Sequence, residues 1–180
     1  MAGLDDLAEL FGQPPAREPS PEDWTEVEDY VRSALPSDFK AFLDTYGTGV
    51  ICGELVIFHP RGSSPLLTRM RKIHESFGQW WRRDSDEYPF RFHPDAGGLI
   101  SWGYDYSGDE HFFWPCDPEP DRWKVVTNIN GTEPEVFDGG RARRDRSGQP
   151  ELRAVLIWLL GGVCRARSSG GTFQQFVAVC

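Results

Sequence analysis

Apolar residues recur at helical spacing in two early segments. Trp24, Val27, Val31 and Leu35 mark one buried stripe, and Phe39, Phe42, Leu43 and Tyr46 mark a second. Ser20-Pro21-Glu22-Asp23 is a strong start signal for the first helix: a capping hydroxyl, a proline suited to the first turn, and acids at the positive end of the dipole. Pro36 is expected to close that helix and Ser37 to cap the next. Gly47 stands where a helix end often needs a left-handed residue. A third helix is predicted over about 65–83, with Leu66, Met70, Ile73, Phe77 and either Trp80 or Trp81 on its apolar face.

From Gly49 the period changes. Residues 50–58 are β-rich and predict a strand pair or one bent strand. Short strands follow at 90–92, 99–102, 111–114 and 123–129, and the Gly-, Asp- and Ser-rich stretch 103–110 joins two of them as a hairpin loop. Phe112 and Trp114 share one face of their strand, so Phe113 lies on the other. Both faces are therefore apolar there: either helices cover both, or one side is a recognition surface. Helices followed by consecutive strands, without βα alternation, predict an α+β fold, a mostly antiparallel sheet with N-terminal helices packed against it. One domain is expected over 21–162. Before it lies a flexible arm, 1–20, carrying Leu4, Leu7, Leu10 and Phe11 and then a proline-rich stretch; after it comes a tail, 163–180. A further helix is expected through Leu152, Val155, Leu156 and Leu159, after an arginine-rich loop and before Gly161-Gly162.

The 180 residues are enough for a core that folds without staples. No apolar run reaches the ~18 residues of a membrane span, and the acidic beginning lacks the basic-then-apolar order of a signal peptide. A cytoplasmic location is the expectation. The four cysteines, at 52, 116, 164 and 180, form no tight pair, so neither a zinc site nor a redox motif is expected. Net charge is −9 but uneven: −8 over residues 1–30, −6 over 31–140 and +5 over 141–180. An acidic body repels phosphate backbones and attracts basic surfaces, which argues against nucleic acid as a partner.

The search for chemistry returns little. There is no phosphate loop, dinucleotide fingerprint, HExxH or GxSxG. His59, His74, His93 and His111 are scattered, and no cofactor is implied. Asp105-Tyr-Ser-Gly-Asp109-Glu110 is the most site-like acidic cluster. It lacks EF-hand spacing, and the simpler reading is a turn whose aspartates cap backbone amides. A hydrolase with Asp105 opposing Asp109 is the enzymatic alternative. The Arg141–Arg146 run stands beside an acidic body without interleaved aromatics and reads as a solvated loop. Seven tryptophans is a high count, and Trp and Tyr dominate binding hot spots.

The order of these motifs resembles a known superfamily. Trp24, then Glu28-x-x-Val31-Arg32-x-x-Leu35-Pro36-x-Asp38-Phe39-x-x-Phe42-Leu43-x-x-Tyr46-Gly47-x-Gly49, is similar to the opening of the SUKH superfamily. That group takes in bacterial toxin-immunity proteins and a fungal regulator of cell-wall glucan synthesis. Ile57-Phe58-His59-Pro60, Gly98-Leu99-Ile100-Ser101-Trp102-Gly103, Gly108-Asp109 and Phe113-Trp114 resemble its later strands and central hairpin. The likeness covers about residues 22–138. Arg32 departs from it, standing where the family usually has glycine, and so does the 139–180 segment.

The resemblance implies a non-enzymatic, cytoplasmic binding domain that neutralises a cognate toxin, such as a nuclease, by stoichiometric cover. The acidic body implies that this toxin is basic. Asp105, Asp109 and Glu110 of the hairpin, with acids near the first helix, are the expected charged contacts, and Trp81 and Phe113 the aromatic anchors. A regulatory scaffold that binds an endogenous protein is the alternative from the same family. Neither membrane nor metal enters this reading, and the oligomeric state stays open.

Overall fold

The computed structural model describes residues 22–51, 53–85, 89–127, 134–137 and 177–178, together with Pro14 and Ser20. Most of the arm, the loop and helix expected within 139–162, and most of the tail lie outside these residues. The fold is α+β. Helices α1 (Glu22–Val31) and α2 (Ser37–Tyr46) come first, followed by β1 (Gly49–Ile51) and β2 (Leu55–Ile57). Next come α3 (Leu66–Arg83), β3 (Ile100–Asp105) and β4 (Glu110–Trp114). A 3-10 turn (Pro120–Arg122), β5 (Lys124–Thr127), β6 (Glu135–Phe137) and β7 (Val177–Ala178) complete the order. The strands form one sheet, β6-β5-β4-β3-β2-β1-β7, with each neighbouring pair antiparallel.

Residues 49–57 are thus a strand pair, turning through Gly53 at φ 68°. Phe90-Arg91-Phe92 forms no strand; Phe92 makes only an isolated bridge with Leu99.

Helices cover both faces of the central strands. Phe113 and Trp102 pack on Phe39 of α2, with ring centroids 5.1 and 6.0 Å away. Phe112 packs instead on Phe77 of α3 at 5.4 Å and on Phe92 at 5.4 Å. The main core joins α1, α2 and the sheet with Leu66 and Met70 of α3, and the second gathers Ile73, Phe77, Phe92, Leu99, Phe112 and Val126. Each fully buried ring of this size contributes roughly 1.5–3 kcal/mol.

α1 stops one turn before the expected Pro36. Arg32 takes a left-handed φ of 59°, and Ser33 N–H reaches Glu28 C=O at 3.2 Å, closing the helix as a Schellman motif does. Leu35 is buried beyond the helix, its N–H donating to Glu28 Oε1 at 3.0 Å. The same oxygen accepts from Lys40 Nζ at 2.7 Å, so one carboxylate ties the end of α1 to the start of α2. Ser37 does not cap α2. Its N–H and hydroxyl donate to Asp121 of the 3-10 turn at 2.6 and 3.0 Å, and Pro36 holds the cap position. Gly47 does end α2 with φ 78°.

A β-bulge interrupts β3 between Ser101 and Gly103. There β2 approaches so closely that a Cβ on Gly103 would lie 2.7 Å from Val56 O. Gly78 of α3 has no such neighbour, the nearest atom being Arg82 Nη2 at 3.8 Å.

Gly103→Ala should therefore lower stability by about 1–3 kcal/mol. Arg32→Gly, which relieves a left-handed side chain, should raise it by about 1 kcal/mol. Urea unfolding measures both; equal midpoints for the two variants would contradict the backbone account.

Candidate partner-binding surface

The β3–β4 turn is built by the aspartate that opens it. Asp105 Oδ1 accepts from the N–H groups of Ser107 at 2.9 Å and Asp109 at 3.1 Å, while Asp105 N–H donates to Asp109 C=O at 3.0 Å. Gly108 supplies the left-handed step, φ 94°. Asp105 is thus a turn-former, with its other oxygen 3.5 Å from His111 Nε2. It is buried, and only Asp109 of the pair is partly open to solvent. The two aspartates close one turn through backbone groups; they do not face each other across a cleft.

Glu110 points inward as well. Its carboxylate pairs with Arg69 of α3, whose guanidinium lies 4.1 Å from the Tyr104 ring centroid and 5.4 Å from that of Phe58. Burial, with Asp105 nearby, raises the Glu110 carboxyl to about 7 against the pull of Arg69.

All four histidines are buried. His74 accepts the Ser101 N–H on Nε2 at 2.9 Å. The β2–β3 ladder ends at Ile57↔Gly103, so this ring serves an amide that no strand reaches. An accepting Nε2 leaves the proton on Nδ1, which donates to Tyr30 Oη at 3.0 Å. Burial and neighbouring His93 lower the His74 pKa to about 3. His93 itself is lowered by burial, with its ring 5.2 Å from that of His74. His111 is pushed down to about 4 by burial, in opposition to Asp105, and stacks on Trp102 at 5.4 Å. Trp102 Nε1 and His111 Nδ1 have no hydrogen-bond partner among the described residues. Among those residues no three His, Cys, Asp or Glu side chains gather as a metal site.

The expected contact residues are therefore not one surface. Asp105 and Glu110 turn inward, and Phe113, 1% exposed, is core and cannot anchor a partner. Trp81 is half-buried against the second core. It lies twelve residues along α3 from Arg69, about 18 Å of helix. What does reach solvent is α1. Glu22, Glu26 and Asp29 are exposed, while Asp23 pairs with Arg61 and Glu28 with Lys40. Spacings of four and three put the exposed acids on one helix face. Sequence reading placed acids near the first helix but could not tell the committed ones from the open ones, because Lys40 and Arg61 are distant in the chain.

No protein-family model, curated protein or solved structure matches this chain. Among the described residues no helix is long and apolar enough to cross a membrane.

The buried groups fix a pH response. His74 and His111 hold folded pKa values below the ordinary 6.5, so their stabilisation is complete above about 6.5 and is lost as pH falls. Glu110 works the other way: its contribution is complete below about 4.5 and is lost as pH rises through 7. Acidification from pH 7 to 5 should lower stability. Glu110→Gln removes the opposing contribution and should steepen the fall by up to about 1.4 kcal/mol per pH unit. Parallel stability–pH curves for wild type and variant, from urea titrations, would rule this out.

Proposed function

We propose that the chain is a protein-binding module of the SUKH immunity type, which neutralises a basic toxin by covering it stoichiometrically. The observation that carries this reading is the open carboxylate row on α1. Glu22 and Glu26 are four residues apart, a like-charge spacing that costs an isolated helix a few tenths of a kcal/mol. α1 has no basic residue of its own, and its two other acids are already paired. A helix face that keeps mutual repulsion fits a surface meeting opposite charge on a partner, where complementary fields speed encounter and reject wrong partners.

The inward commitments of the polar residues support the same reading. Asp105 is engaged by turn amides, Glu110 by Arg69, and His74 by Ser101 and Tyr30. These are groups that position a fold. The hydrolase alternative needs Asp105 as a free acid or base, and its Oδ1 is held by two turn amides.

The test is co-expression of the tagged chain with the products of its flanking genes, followed by recovery of the complex. The expected result is a one-to-one complex with a basic protein whose activity is lost on binding. Glu22→Lys, Glu26→Lys and Asp29→Lys together should slow association at least ten-fold and flatten its dependence on salt. An unchanged association rate would remove α1 from the interface. Recovery of a resident cellular protein without toxic activity would replace immunity with the scaffold reading.

A further inference from the structure

The second core is rimmed rather than sealed. Trp81, Phe90 and Trp114 pack against it and stay partly open to solvent. Trp80, 39% exposed, leans on Phe77 with centroids 4.7 Å apart. Cations stand over two of these rings, Arg91 at 5.5 Å from Trp81 and Lys124 at 5.9 Å from Trp114.

α3 is basic where the chain as a whole is acidic, with exposed Asp84 following it directly. α3 carries Arg69, Arg71, Lys72, Arg82 and Arg83 against Glu75 alone. The chain has 28 acids and 19 lysines and arginines, so a surface cation has carboxylates to spare. Lys40, Arg61, Arg69 and Arg122 each have one. Among the described residues Arg71, Lys72, Arg82, Arg83 and Arg91 make no ion pair, although Glu75 stands at i+4 and i+3 from the first two.

We propose that the C-terminal half of α3 and the Trp81–Trp114 rim form a docking surface for an acidic segment of a partner protein, with apolar side chains set among its carboxylates. Charge complementarity selects the acid, and the tryptophans supply flat, partly desolvated anchors beside arginine, the composition of binding hot spots. Nucleic acid would also offer anions and stacking faces. However, duplex DNA brings a charge every ~1.7 Å towards a body of net charge −9, whereas a peptide brings few. This face is distinct from the acidic row of α1, and the inference does not depend on a basic toxin binding there.

Fluorescence anisotropy tests it on the full chain with three labelled probes: a 14-residue amphipathic peptide of Glu, Leu and Phe, its Glu→Lys counterpart, and a 15-nucleotide oligo-dT. The acidic peptide should bind at least ten-fold more tightly than either, and more weakly as salt rises. Arg82→Glu with Arg83→Glu and Arg91→Glu should abolish that preference. Trp80→Ala should weaken binding of the folded protein at least three-fold. Equal binding of the acidic and basic peptides, tighter binding of oligo-dT, or an unaltered triple variant would each overturn the proposal.

Discussion

Phe112 and Phe113 are neighbours in the chain and must be buried on opposite sides of the same strand. A β-strand offers no way to turn both rings to one side, so each needs its own cover. Phe39 of α2 meets one and Phe77 of α3 the other. From this follow the two cores, the placement of helices on either side of the central strands, and the return of the chain through α3 between β2 and β3. The polar groups trapped beneath those helices follow from it too. Arg69 and His74 lie on the same helix as Phe77, so burying that ring carries a guanidinium and an imidazole inward, where Glu110 and the Ser101 amide receive them.

Much of the architecture was legible in the sequence, because local signals carry it. The stripes at Trp24, Val27 and Val31, and at Phe39, Phe42, Leu43 and Tyr46, are all buried. Gly47 ends α2, and the turn at 105–109 forms through its aspartate as its residue types suggested. The misses are those where a distant residue decides. Ser37 reads as a cap until Asp121, 84 residues away, claims its hydrogen bonds. Leu35 continues the periodicity of α1 although the helix has ended at Arg32, since a buried residue can hold the same side of the chain from outside the helix.

The site was harder to read for a related reason. Acidity marks a residue as charged but not as available. Glu110 and Asp109 are adjacent in a cluster that looks uniform in sequence. In the folded chain Glu110 is buried beside Arg69 while Asp109 remains partly exposed. Phe113 and Trp81 are both aromatic, and only the surrounding packing separates the core ring from the half-open one. The cations of α3 were visible individually but dispersed by helical spacing. That Arg71, Lys72, Arg82 and Arg83 have no carboxylate partner among the described residues is a property of three-dimensional neighbourhood, not of composition.

The hydrogen bond from the Ser101 amide to His74 has a consequence for how such a chain can vary. An amide at that point could be satisfied equally by a β2 extended until its ladder reached Ser101. The imidazole is therefore exchangeable with a short length of strand. In a chain with a longer β2, position 74 would lose its duty as an acceptor and could hold any apolar residue that fits beneath α1. In this one, the brevity of Leu55–Ile57 and the histidine at 74 are two halves of a single solution and should change together.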